Sequence, residues 1–108
     1  MLTSPYRDTI LALTPAITIL EMQTGDGTVT TDGETLKGML SVLTDRLTNP
    51  ELSKVLGYDD DLWRSLMIAR GCKSLTRFVP EVQPIIVPAI DALEDTILRH
   101  RGTMIYEI

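Results

Sequence analysis

Residues 31–48 read TDGETLKGMLSVLTDRLT. Leu36, Met39, Leu40, Leu43 and Leu47 recur at 3-1-3-4 spacing, which places them on one face of a helix. Lys37, Ser41, Asp45 and Arg46 fall mostly on the other side. Thr31 or Asp32 is placed to cap the free N–H groups, and Thr31 with Glu34 has the offset of a capping box. A helix with one greasy stripe must bury it against other elements, so this stretch sets the class of the whole chain.

The flanks repeat the theme. Upstream, Ser4-Pro5 is a helix start signal, and Ile10, Leu13, Ile17 and Leu20 follow at 3-4-3 spacing. Pro15 interrupts that stripe and predicts a kink or a restart. Ile17, Thr18 and Ile19 are β-branched, so Ala16–Met22 also fits a strand paired with Thr28–Thr31 across Gly25-Asp26-Gly27. The helical reading is the preferred one. Downstream, Asn49-Pro50 opens a short helix to Leu56, ended by Gly57. Asp59-Asp60-Asp61 begins the next, with Leu62, Leu66 and Ala69 as its stripe, flanked by Trp63, Met67 and Ile68. Gly71 ends that helix or lets a neighbour approach closely, and Ser74–Val79 continues as a short helix or turn. Pro80, Pro84 and Pro88 predict an extended approach up to Val87. From Pro88 a last helix carries Ile90, Leu93, Ile97 and Leu98, with Arg99-His100-Arg101 and Gly102 at its end. Thr103–Ile108 reads as a short strand or an ordered tail. The expected fold is all-α: a bundle of four or five short helices, with at most a small hairpin or a C-terminal strand.

With 108 residues and 44% apolar side chains, the chain makes a single domain, 1–108, able to bury a core. Charged residues at 23% are too few for a disordered chain. The longest apolar runs, such as Ile85–Val87, are far too short to span a membrane. The net charge of −5 disfavours nucleic acid as a partner. One cysteine excludes an internal disulfide and a multi-cysteine zinc site. Met1-Leu2-Thr3-Ser4-Pro5 carries no basic start and no long apolar centre, so no secretory leader is expected and the reducing cytoplasm is the expected compartment.

Three features bear on chemistry. The segment Asp26-Gly27-Thr28-Val29-Thr30-Thr31 resembles the middle of an EF-hand calcium loop: with Asp26 at position 5, Gly27, Thr28, Val29 and Thr30 fall in register. Positions 1, 3 and 12 then hold Met22, Thr24 and Gly33, and Glu34 arrives one residue late. The resemblance implies weak divalent-ion binding through Asp26, Thr28, Thr30 and Glu34; the alternative is a glycine-supported turn leading into a helix cap. The second feature is the set of lone reactive residues. His100 lies between two arginines, Cys72 has no histidine near it in sequence, and no glycine loop has phosphate-binding spacing. Neither a catalytic constellation nor a cofactor site is expected.

The third is the cluster Tyr58, Trp63 and Phe78 interleaved with Arg64, Arg70 and Arg77. Packing assigns Phe78 and part of Trp63 to the core. The same residues fit a protein interface, where aromatics and arginine are the usual anchors, and less well a stacking platform for single-stranded nucleic acid. The apolar stock exceeds what short helices easily hide, so Met1-Leu2, Leu36–Leu47 and Ile85–Val87 are further candidate surfaces. The expected function is a non-enzymatic interaction or assembly module, partnered by a second copy of itself or by another protein.

Overall fold

The structure, a computed structural model, describes residues 6–48 and 59–106, with side chains described over 6–48 and 63–99. Four α-helices follow one another: α1 (Arg7–Asp26), α2 (Thr31–Thr48), α3 (Asp59–Leu75) and α4 (Gln83–Tyr106). A single 3₁₀ turn, Thr76–Phe78, extends α3 toward α4. Each helix packs on two others, α1 and α3 both lying against α2 and α4, so the four form a closed ring around one core.

The helices alternate in direction. Only Gly27–Thr30 separates α1 from α2, which forces an antiparallel hairpin. Between α3 and α4, Arg70 pairs with Glu94 and Lys73 with Asp91, so one number rises as the other falls. Met39 of α2 meets Gly71 of α3, while Thr35 shares a groove with Leu75 and Phe78, which sets that pair antiparallel too.

The inward residues recur at 4-3-4 spacing in every helix. They are Thr9, Leu13, Ala16 and Leu20 in α1; Leu36, Leu40, Leu43 and Leu47 in α2; and Ile86, Ile90, Leu93 and Ile97 in α4. In α3 and its 3₁₀ extension they are Ser65, Ala69, Cys72 and Thr76, joined by Leu66. The leucines and isoleucines of α2 and α4, with Leu13, Leu20 and Leu66, thus interlock with the small side chains of Thr9, Ala16, Ser65, Ala69, Cys72 and Thr76, the interdigitation a dense core requires.

The chain handles its helix ends locally. The α1 terminus closes on Gly27, whose φ of +79° is the left-handed conformation glycine adopts without a Cβ penalty. Thr28 N–H donates to the Gln23 carbonyl at 2.9 Å, and Gly27 N–H to that of Thr24, which completes a Schellman stop. The α2 cap is Thr30: its Oγ1 accepts the Gly33 N–H at 3.0 Å, and its carbonyl accepts the first helical N–H, from Glu34, at 2.9 Å. The expected cap at Thr31 or Asp32 therefore moves back one residue. The third helical position is then Gly33, so no capping box forms.

Proline is absorbed where the sequence predicted breaks. Pro15 lies inside an unbroken α1, and Ala16–Met22 is helix. Among the described residues there is no strand. Pro15 is exposed, as is Leu11, whose carbonyl loses its partner, so that carbonyl is left on the solvent side. The neighbouring hydroxyls fold back onto the ladder, Thr14 Oγ1 donating to the Ile10 carbonyl and Thr18 Oγ1 to the Thr14 carbonyl. The extended approach expected up to Val87 is confined to Val79, before Pro80; a turn over 80–82 and helix from Gln83 replace the rest. Pro84 occupies the first turn of α4, where no N–H is needed, and Pro88 with its lost acceptor Pro84 is exposed. Gly71 does not end α3, and α4 continues past Gly102 to Tyr106 rather than yielding a strand. Ser4-Pro5, the helix expected over 50–56, and Glu107-Ile108 lie outside the described residues.

Two expected surfaces are interior in part. Leu36, Leu40, Leu43 and Leu47 are fully buried, whereas Met39 between them is half-buried and Val42 exposed; within Ile85–Val87 the middle residue, Ile86, is core while its neighbours are half-buried. Met1-Leu2 lies outside the described residues.

Candidate functional site

Apart from Leu66, the inward layer of α3 is small, and its bulkiest side chains are exposed: Trp63 is 42% exposed, Met67 52% and, at the end of the 3₁₀ turn, Phe78 59%. The core assignment of Phe78 gives way here, because α3 and its 3₁₀ turn aim Ser65, Leu66, Ala69, Cys72 and Thr76 inward and leave Phe78 on the far side; Trp63 stays partly covered. Scanning the 4-3-4 spacing for small residues, rather than for large apolar ones, would have found the buried face.

Cations share this outer surface. Arg64, Arg70 and Arg77 are exposed and Lys73 is half-buried, and from Trp63 to Val79 the chain contains no Asp or Glu. The Arg70 guanidinium lies 5.7 Å from the centroid of the Trp63 ring, one heptad back, and its Nη2 donates to Glu94 Oε1 at 2.6 Å. Lys73 Nζ reaches Asp91 Oδ1 at 2.6 Å. Both ion pairs are solvent-exposed and each adds about 0–1 kcal/mol, so their main effect is to fix the two side chains against α4. Tyr58 lies outside the described residues.

Beside this face runs a shallow groove of about 410 Å³ between α2 and α3, lined by Thr35, Met39, Gly71, Ser74, Leu75, Arg77 and Phe78. Gly71 makes the groove shallow-walled: Met39 lies across the place its side chain would take. One turn along α2 from Met39, Val42 is exposed as well. A groove of similar size, about 430 Å³, lies between α1 and α4, lined by Asp8, Thr9, Ala12, Pro84, Ile85, Pro88, Ala89, Ala92 and Thr96. Its walls are proline, alanine, threonine and one isoleucine beside a single carboxylate, with no large exposed side chain to anchor a partner. The α2–α3 side is the better candidate.

The residues of the calcium-loop resemblance are occupied elsewhere. Asp26 Oδ1 accepts from the Thr28 hydroxyl at 2.6 Å and from the Thr28 N–H at 3.0 Å, bonds that hold its carboxyl below the usual carboxylate range. Thr30 Oγ1 serves as the α2 cap, and Glu34 stands in the first turn of that helix. Among the described residues, no three His, Cys, Asp or Glu side chains are placed to hold a metal ion. Cys72 is fully buried in the core, and desolvation pushes its thiol up to about 12, so it stays protonated and poorly nucleophilic at neutral pH. The side chain of His100 lies outside the described residues. No described helix is long and apolar enough to cross a membrane. No known family, curated protein or solved structure matches this chain.

Proposed function

We propose that this chain is a non-enzymatic interaction or assembly module that works through the outer face of α3 and the adjoining side of α2, binding a second copy of itself or another protein. The observation that carries this reading is the outer surface of α3 and its 3₁₀ turn: Trp63, Met67 and Phe78 are exposed there, while Leu66, Ala69, Cys72 and Thr76 lie in the core. Turning three large apolar side chains to water leaves a substantial hydrophobic surface unburied, and such patches on small soluble domains commonly mark partner sites. Arginine between aromatics adds the residue types that dominate interface energetics.

The test is site-specific crosslinking in the source cells. A photoreactive side chain is placed at Met67, with Met22, exposed on α1, as the control position. A defined protein adduct at position 67 that is missing at position 22 supports the reading, whether the adduct is a second copy or another chain. Equal, diffuse labelling at both positions overturns it.

A further inference from the structure

We propose that Asp26-Gly27, where α1 turns toward α2, is a site of spontaneous backbone rearrangement to isoaspartate, and that the fold withholds the same reaction from Asp32-Gly33. The sequence holds these two Asp-Gly links and no other. Glycine after aspartate favours ring closure, because a residue without a Cβ lets its nitrogen approach the preceding carboxyl. The glycine nitrogen attacks Cγ of the protonated carboxyl. An N–Cγ bond forms, a Cγ–Oδ bond breaks, and the departing oxygen leaves as water with the carboxyl and amide protons. Water then reopens the cyclic imide. Addition at Cγ restores aspartate; addition at the backbone carbonyl of the aspartate breaks the original peptide bond and leaves the main chain running through the side chain. Water is the sole co-reactant.

The structure separates the two links. Gly27 is exposed, and apart from its chain neighbours no atom lies within 4 Å of where its β-carbon would stand. It caps α1 from outside the helix with φ +79°, and its N–H reaches the Thr24 carbonyl over a long 3.4 Å. Gly33 is buried in α2. Its N–H donates to Thr30 Oγ1 at 3.0 Å, and Val29 Cγ2, Thr30 Oγ1 and Leu20 Cδ2 close over the place of its missing side chain. Ring closure at Gly33 therefore requires the first turn of α2 to open, a local unfolding with its own free-energy cost.

Thr28 brakes the exposed link. Its hydroxyl and its N–H hold Asp26 Oδ1 at 2.6 and 3.0 Å, which favours the charged carboxylate, whereas attack needs the neutral carboxyl. The product would lengthen the main chain by one carbon at the end of α1 and move the carboxylate off the Thr28 bonds. The turn joining α1 to α2 thus loosens as the protein ages.

The test is peptide mapping of the intact chain, held folded at neutral pH and body temperature, with isoaspartate read by enzymatic methyl transfer and by electron-transfer fragmentation. Isoaspartate should accumulate at position 26 about tenfold or more faster than at position 32, since only the second link needs local opening. In urea, with both links unfolded, the two rates should converge. Thr30→Ala, which frees the Gly33 N–H, should raise the rate at position 32 several-fold and leave position 26 unchanged. Thr28→Ala should raise the rate at position 26 alone. Circular-dichroism melts check that each variant is folded, and the parent chain decides the matter by itself. Equal rates in the folded chain, a preference for position 32, or no isoaspartate at position 26 while the chain in urea converts would each overturn the proposal. So would a preference for position 26 that persists undiminished in urea, because neighbouring residue types rather than the fold would then set it.

Discussion

Met39 lies over Gly71. The terminal methyl, Cε, is 2.8 Å from where a β-carbon on Gly71 would stand, so the α2–α3 contact at this point depends on a missing side chain. Gly71 has ordinary helical geometry, and the atom it would meet is the free end of a flexible chain. Replacing Gly71 by alanine therefore sets a helix-propensity gain of about 1 kcal/mol against the displacement of one methyl group. Gly38, exposed in α2 with nothing near its missing Cβ, supplies the reference. Gly38→Ala should stabilise the chain by about 1 kcal/mol, raising Tm by about 4–8 °C. Gly71→Ala should gain clearly less, and recover the full gain in a Met39→Ala background. Thermal melts of the parent chain, the three single variants and the Met39→Ala/Gly71→Ala double variant check this; equal gains at both glycines would show that the methyl moves freely.

The cap of α2 gives a sharper discrimination between neighbouring threonines. Thr30→Ala leaves the Gly33 N–H without its side-chain acceptor and should cost about 1 kcal/mol in urea denaturation, while Thr30→Ser keeps most of it. Thr31→Ala should cost little, because Thr31 stands inside the helix and is exposed. The reverse order of effects would restore the capping box that the sequence suggested.

Asp26 should titrate low. Its carboxylate is held by the Thr28 hydroxyl first and the Thr28 N–H second, and both favour the charged form. A folded value below the unfolded one means that the contribution to stability is fully present above the ordinary carboxyl range of about 4 and is lost as pH falls through the lowered value. Carbon-detected NMR titration should place the Asp26 midpoint below about 3.9, and Thr28→Ala should move it upward. A midpoint unchanged by that substitution would separate Asp26 from Thr28 in solution.

Cys72 makes the opposite limb. Its thiol is raised from an ordinary 9.0 to about 12 by burial. The neutral thiol's contribution is intact below the unfolded value and is lost as pH climbs from about 9 toward about 12. Buried Tyr6, whose phenol burial also raises, acts in the same direction. Alkylation of native protein near pH 8 should be slower by orders of magnitude than of protein in urea, since the thiolate forms only on opening. Cys72→Ala should flatten the alkaline loss of stability; an unaltered slope would assign that loss to Tyr6 and others.

The helical class was legible because Leu36, Leu40, Leu43 and Leu47 are large and regularly spaced, and the same four residues are fully buried. The prolines misled for a physical reason. Proline's penalty is local and conditional: at Pro84 the first turn has no bond to lose, and at Pro15 and Pro88 the orphaned carbonyl lies on the wet side. Whether that carbonyl meets water or protein depends on packing, which spacing along the chain does not report. Trp63, Arg64, Arg70, Arg77 and Phe78 stood out by type, and all five are exposed on α3 and its extension. The exposure of Phe78 was not legible, since apolar volume ordinarily marks the inside. Here it is decided by Ser65, Ala69, Cys72 and Thr76, whose small size draws no notice in a sequence.

The 4-3-4 beat shared by all four helices has a consequence for how this protein can vary in length. Seven residues return a helix to the same rotational phase, apart from a slight drift that gentle supercoiling takes up. Whole two-turn slices could be added to or taken from each rod together, lengthening or shortening the molecule like sections of a telescope while every seam stays closed. A change of two or five residues in a single rod would instead spin its far end, carrying leucines into water and charges into the seam.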